Sequence, residues 1–179
     1  MPAAAIEPTG GILICNEVYM DFAQPDQRVH VATFVPRAVS ITSLTKAYGL
    51  GSLRSGWILL GEDLADQRIL LQDQALLSYG DPPTATLNAS LAALDRLPEL
   101  LAPVRRVEAE SRPHFLAWLR DSPSVLCTIP PFGIMAFPRI ERVQDTMGLQ
   151  ALLADEFDVD VVAGEHFGAP GHLRVGCAV

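Results

Sequence analysis

Three short apolar runs, Gly11 to Val18, Val39 to Leu44 and Gly56 to Leu60, dominate the first part of the chain and are separated by Gly-, Pro- and Asp-bearing connections. Each is strand-sized and too short for an ordinary helix, so together they predict neighbouring buried strands of an α/β sheet. From Glu62 to Leu77, apolar Leu64, Ile69, Leu70, Leu76 and Leu77 recur at roughly helical spacing among Asp66, Arg68 and Asp73. Asp81-Pro82-Pro83 breaks that pattern, and a second helix is expected from Thr84 to Arg96.

The chain changes character near Leu97-Pro98, which predicts one domain over 1–97 and a small α+β domain over 98–179. Beyond Pro98, Leu100, Leu101, Val104, Val107, Phe115, Leu116 and Leu119 mark one side of a long helical stretch that Pro113 should kink or split. Strands are expected at Ser124 to Ile129, Ile134 to Pro138, Val159 to Val162 and Leu173 to Cys177, with a helix from Asp145 to Phe157. The abrupt start on a strand and the stop at Val179 suggest an uncovered apolar face or strand edge, met by a partner or by further chain.

Composition narrows the function classes. With 49% apolar and 19% charged residues over 179 positions, the chain is globular rather than disordered. A net charge of -8 with dispersed arginines excludes an extended nucleic-acid or anionic-membrane surface. The sequence carries no apolar run of about 18 residues, and its first residues, MPAAAIEPTGG, lack a secretory pattern, so a cytoplasmic protein is expected. Cys15, Cys127 and Cys177 are widely spaced within apolar runs and read as buried thiols. His166, His172 and Cys177 have no zinc-ligand spacing, so no metal site is expected. His30 and His114 read as surface or interface residues, Tyr79 as a residue near a subunit boundary, and the acidic run Asp155, Glu156, Asp158, Asp160 as a solvated helix exit.

Lys46 is the sole lysine beside twelve arginines. In a chain so biased toward Arg, a retained Lys suits a task guanidinium cannot perform, such as imine formation with a carbonyl; the plain alternative is an ordinary surface residue. Its surroundings favour the chemistry. Ser43-Leu44-Thr45-Lys46 leaves a predicted strand with two hydroxyls, and the chain returns through glycines to Arg54 before the next strand. A hydroxyl, an amine and a guanidinium at one turn fit a phosphorylated carbonyl compound, with Ser43 and Arg54 on the phosphate and Lys46 on the aldehyde.

This segment, Ser43 to Gly56, matches the S-x-[ST]-K-x7-R-x-G pattern and resembles the class I/II aminotransferases of fold type I, which use pyridoxal 5'-phosphate. Asn16-Glu17-Val18-Tyr19 resembles the family's D-E-x-Y strand end, and Phe167-Gly168 through Arg174-Val175-Gly176 its terminal strand. Pro131-Phe132-Gly133-Ile134-Met135-Ala136-Phe137 resembles the segment lining the substrate side. The resemblance implies a partial large domain, with a mixed or parallel sheet and helices, followed by a small C-terminal domain. It implies that Lys46 forms an aldimine with the cofactor and moves a proton at the substrate's Cα, while Tyr19 donates to the cofactor's phenolic oxygen. It further implies that Ser43 and Arg54 anchor phosphate, that Arg174 grips the substrate carboxylate, and that Gly133 lies on the substrate side.

The departures carry consequences of their own. Members of the family are about twice this length, so the parts that stack on the cofactor ring and cradle its phosphate are expected elsewhere. Ile6-Glu7-Pro8-Thr9-Gly10 echoes the family's N-P-T-G with Glu7 in place of Asn. Asn16 occupies the place of the Asp that pairs with the pyridinium nitrogen. The implied partners are an amino acid, a 2-oxo acid, and a second copy or a complementary chain. The rival expectation is a truncated, non-catalytic remnant or interaction module of the same family.

Overall fold

The computed structural model describes residues 9–177, so the Glu7-Pro8 part of the N-P-T-G echo lies outside the described residues. The chain divides into two compact units between Ala102 and Pro103. The boundary read from composition, Leu97-Pro98, coincides instead with the start of a short helix belonging to the first unit.

In the first unit, β1 (Leu13–Asn16), β2 (Ala38–Ser43) and β3 (Gly56–Leu60) form one mixed sheet. β2 is central, parallel to β1 and antiparallel to β3. The register pairs Ile14 with Val39, Asn16 with Ile41, Ile41 with Ile58 and Ser43 with Gly56, which puts all of these on one face. The opposite face of β2 carries the buried Ala38, Ser40 and Thr42. The expectation of fully buried strands is therefore corrected: Ile14 is 64% exposed and Ile58 52% exposed. Predominantly apolar runs suggest burial on both faces, yet among the described residues only one face of this sheet is covered.

A 3-10 segment, Glu62–Gln67, leads into α1 (Arg68–Tyr79), and α2 (Thr84–Leu94) and α3 (Leu97–Leu100) follow. The sequence reading merged the first two into a single helix. Leu64 is buried, but Ile69, Leu70, Leu76, Leu77 and Tyr79 stand exposed along α1, so its apolar spacing does not serve the core of this unit. Further 3-10 turns at Met20–Phe22, Pro25–Gln27 and Val31–Thr33 bridge β1 to β2, in a stretch with no periodicity to announce them.

The second unit contains most of α4 (Ala102–Glu110), then α5 (Arg112–Asp121) and α6 (Thr146–Phe157). Pro113 falls in the first turn of α5, where its missing N–H costs no helical bond, so it starts a helix after a break at Ser111. Strands β4 (Val125–Leu126) and β6 (Arg139–Ile140) pair with each other, and β5 (Met135–Ala136), β8 (Leu173–Gly176) and β7 (Val162–Ala163) form an antiparallel sheet in that order. The sequence reading missed β6 and placed β7 too early, because Asp158 turns the helix exit through a left-handed conformation with φ 55°. Leu119, Ala136, Leu173 and Val175 form the core, flanked by Phe115, Leu116, Leu149 and Leu153. All three cysteines are half-buried free thiols, a correction to the reading of them as buried.

Candidate active site

Lys46 sits on the turn that leaves β2. Leu44, Ala47 and Tyr48 are buried and pin the turn from beneath, which leaves the Lys46 side chain exposed. Leu44 N–H donates to Ser55 O at 3.1 Å and Leu50 N–H to Leu44 O at 3.0 Å, so the loop closes on itself before β3 begins. Arg54 then takes a left-handed conformation, φ 50° and ψ 32°. Gly56 follows by steric necessity, since a Cβ there would lie 2.7 Å from Thr42 O.

An open cleft of about 530 Å³ results, lined by Ser43, Thr45, Lys46, Arg54, Gly56 and Trp57 among others. The fold thus brings together Ser43, Lys46 and Arg54, as the sequence spacing led us to expect. Ser43 Oγ and Thr45 Oγ1 are 2.7 Å apart, and the Thr45 N–H donates to Ser43 Oγ at 3.3 Å. Arg54 has no carboxylate partner among the described residues, and its donors are available to an anion.

Tyr19 joins this group from the end of β1: Lys46 Nζ lies 6.0 Å from the centroid of its ring. Asn16 is exposed on the same sheet face as Ser43, and its Oδ1 accepts the Val18 N–H at 3.3 Å. Two residues that the sequence reading passed over hold this end of β1. Glu17 is 6% exposed and accepts from Val31 N–H at 2.9 Å and Ser40 Oγ at 2.8 Å, with His30 Nδ1 at 2.5 Å. His30, read as a surface or interface residue, is half-buried against that carboxylate. Tyr48 hydrogen-bonds Asp21, whose carboxylate also meets Arg28 at 3.5 Å. Burial first, and then the hydrogen bond and charge of Asp21, push the Tyr48 phenol well above its ordinary value.

The remaining site residues belong to the second unit. Gly133 is buried with φ 91°, and Arg112 donates to the carbonyls of Gly133 at 3.1 Å and Pro130 at 2.7 Å, fixing that loop. Arg174, on β8, is exposed, and its guanidinium lies 5.5 Å from the centroid of Phe167. No group of three or more His, Cys, Asp and Glu side chains is placed to hold a metal among the described residues.

Comparison with known proteins identifies the family. The sequence profile of the family described as aminotransferase class I and II matches residues 3–179. A capreomycidine synthase of Streptomyces vinaceus is 31% identical over 141 residues, which cover 78% of this chain and 36% of that protein. An aspartate aminotransferase of Streptomyces avermitilis is 26% identical over 182 residues, covering 93% of this chain and 44% of that one. The crystal structure of a PLP-dependent aminotransferase from Streptococcus suis superposes with a TM-score of 0.77 at 20% identity, covering 99% of this chain and 46% of its own. The chain spans less than half the length of each of these proteins. Matched by the family profile over almost its whole length, the chain belongs to the class I and II aminotransferases.

Proposed function

We propose that this chain carries the lysine-bearing part of a pyridoxal phosphate site and acts in amino-group transfer between an amino acid and a 2-oxo acid. The observation that carries the reading is the single cleft uniting Lys46 with Ser43, Thr45 and Arg54. Those side chains suit the cofactor: one amine for its aldehyde, and two hydroxyls with a carboxylate-free guanidinium for its phosphate. The bound cofactor supplies an aldehyde and an electron-accepting ring. Lys46 would be the covalent holder, and its free amine would be the base that takes and returns the proton at the substrate's Cα. Tyr19 would donate from its hydroxyl to the cofactor's phenolic oxygen and Asn16 would hydrogen-bond to its ring nitrogen, while in the second unit Arg174, with the Gly133 loop, would serve the substrate carboxylate.

The division at Ala102 supports a cofactor-binding unit followed by a smaller substrate-side unit. The apolar side chains exposed on α1 and on the open face of β1 and β3 favour an assembled protein, a homodimer or a pairing with a complementary chain. A cytoplasmic setting is part of this proposal; no described helix is long and apolar enough to cross a membrane.

Borohydride reduction in the presence of pyridoxal phosphate, followed by peptide mapping, tests the reading. The pyridoxyl group is expected on Lys46 and is expected to be lost from that peptide in Lys46→Arg. Labelling confined to the N-terminal amine overturns it.

A further inference from the structure

The second unit holds its own open cleft of about 420 Å³, within the size range of small-molecule sites. Thr128, Pro130, Met135, Phe137, Phe167 and Arg174 line it. Arg174 is the only charged side chain in that lining and has no carboxylate partner among the described residues.

The side chains around Arg174 form a propped series. Its guanidinium lies on Phe167, with Cζ 5.5 Å from the ring centroid. Phe167 meets Phe137 edge to face at 5.5 Å, and Phe137 stacks on His172 at 5.0 Å and 17°. A guanidinium lying on an aromatic ring gives up little hydrogen bonding, because its donors point outward in its own plane, where a carboxylate can take two of them. The rings that hold Arg174 are also open to a ligand, for Phe137 is 38% and Phe167 49% exposed.

Beyond Arg174 the walls offer a thioether, two phenyl rings, a proline and one hydroxyl. A second carboxylate on the ligand would meet no second cation there, and desolvating an unpaired charge against apolar walls is unfavourable. An aromatic side chain would instead find two partly exposed rings to pack against. We propose that Phe137 and Phe167 make this cleft selective for carboxylates bearing an apolar, preferentially aromatic, side chain, over dicarboxylates. The inference rests on Arg174 being the carboxylate-binding group of the proposed function and adds the substrate class: apolar and aromatic amino acids.

Titration of the isotope-labelled chain with 3-phenylpropanoate, hexanoate and succinate, followed by NMR at the Arg174 Nε–H and the Phe137 and Phe167 rings, tests the proposal without requiring turnover. The expected result is saturation by 3-phenylpropanoate at a concentration about tenfold or more below that for succinate. Arg174→Gln, at an exposed position where folding is not at stake, should lose all three ligands. Phe167→Leu keeps an apolar wall but removes the ring, so it loosens Arg174 for every acid and should weaken 3-phenylpropanoate about fivefold more than it weakens hexanoate. Equal or tighter binding of succinate overturns the proposal, as does the absence of saturable shifts with every acid, or an equal loss for all three in Phe167→Leu. Borohydride trapping reads Lys46 in the other unit, so failure there with selective carboxylate binding intact would remove the cofactor reading and not this one.

Discussion

The Lys46 amine stands 6.0 Å from the centroid of the Tyr19 ring, although the two residues arrive from different strands. Tyr19 follows β1 and Lys46 follows β2, and the parallel pairing of these strands delivers both side chains to the same end of the sheet. Parallel neighbours carry their C-terminal ends to one edge, which is where open α/β sheets place their ligands. An ammonium at that distance, the outer limit of such contacts, gains only about 0.5–1 kcal/mol. The juxtaposition therefore owes more to the backbone than to attraction between the two side chains.

Part of that backbone is held by Tyr48, two positions after Lys46, through its bond to Asp21, two positions after Tyr19. Tyr48→Phe should cost about 1.5–3 kcal/mol at pH 7, the usual worth of a hydrogen bond to a charged group. The pH dependence has a definite sign. Because the folded phenol titrates above the unfolded one, its contribution is fully present below about pH 10 and is lost as the pH rises toward the higher folded value. Urea melts at pH 8 to 11 (roughly, bracketing the free phenol) should show a steeper alkaline decline in the native chain than in Tyr48→Phe. Parallel declines would refute the assignment.

Glu17 should matter more for stability than its position suggests. Glu17→Ala strands Val31 N–H, Ser40 Oγ and His30 at once, and the expected loss is about 3–5 kcal/mol, the range for breaking a buried, hydrogen-bonded charge. Glu17→Gln keeps an acceptor and the side-chain shape, so it should lose about half as much. Equal urea midpoints for the native chain and Glu17→Ala would show that the network contributes nothing.

Arg54 couples a strained backbone to an anion-binding side chain. Its left-handed conformation costs an L-residue about 1–2 kcal/mol relative to glycine. The flexibility of glycine in the unfolded chain returns about 0.5–1 kcal/mol of that. Arg54→Gly should accordingly leave stability unchanged or slightly raised while weakening cofactor binding about tenfold or more, as expected for loss of a charge-assisted pair. Quenching of Trp57, which lines the same cleft, reads the binding, and chemical denaturation reads the stability. A fall in both together would mean that Arg54 serves the turn rather than the anion.

How much of this was legible in the sequence follows a physical division. Ser43, Lys46, Arg54 and Gly56 share one turn, where chemistry and sterics act on residues close in sequence, so their spacing is visible. The three strands of the first unit were legible in number and approximate position for the same local reason. Glu17 was not, because a carboxylate ordinarily signals exposure and its donors come from His30, Val31 and Ser40, whose approach depends on strand pairing. The apolar spacing of α1 predicted a helix, but periodicity reveals an apolar stripe and not what covers it. The Phe137, Phe167 and His172 group was equally silent, since three separate strand ends and turns assemble it.

Asn16 provides the last test. Its Oδ1 accepts the Val18 N–H at 3.3 Å, a local bond that an aspartate could make equally well, so Asn16→Asp should leave the turn into Tyr19 undisturbed. What changes is charge. An aspartate can pair with a protonated ring nitrogen, whereas an amide can only hydrogen-bond to it, and a close ion pair amounts to about 4 kcal/mol at an effective dielectric constant of 20. Asn16 is exposed on the open sheet face, so solvent screens most of that figure and about 1.4 kcal/mol, a tenfold gain in affinity, is the reasonable expectation. Titration of native chain and Asn16→Asp with pyridoxal phosphate, read by Trp57 quenching at low and high salt, measures it. The gain should be largest at low salt and shrink as ionic strength rises. If affinity is the same at both salt concentrations, Asn16 serves only its bond to Val18 and the ring nitrogen is recognised by another group.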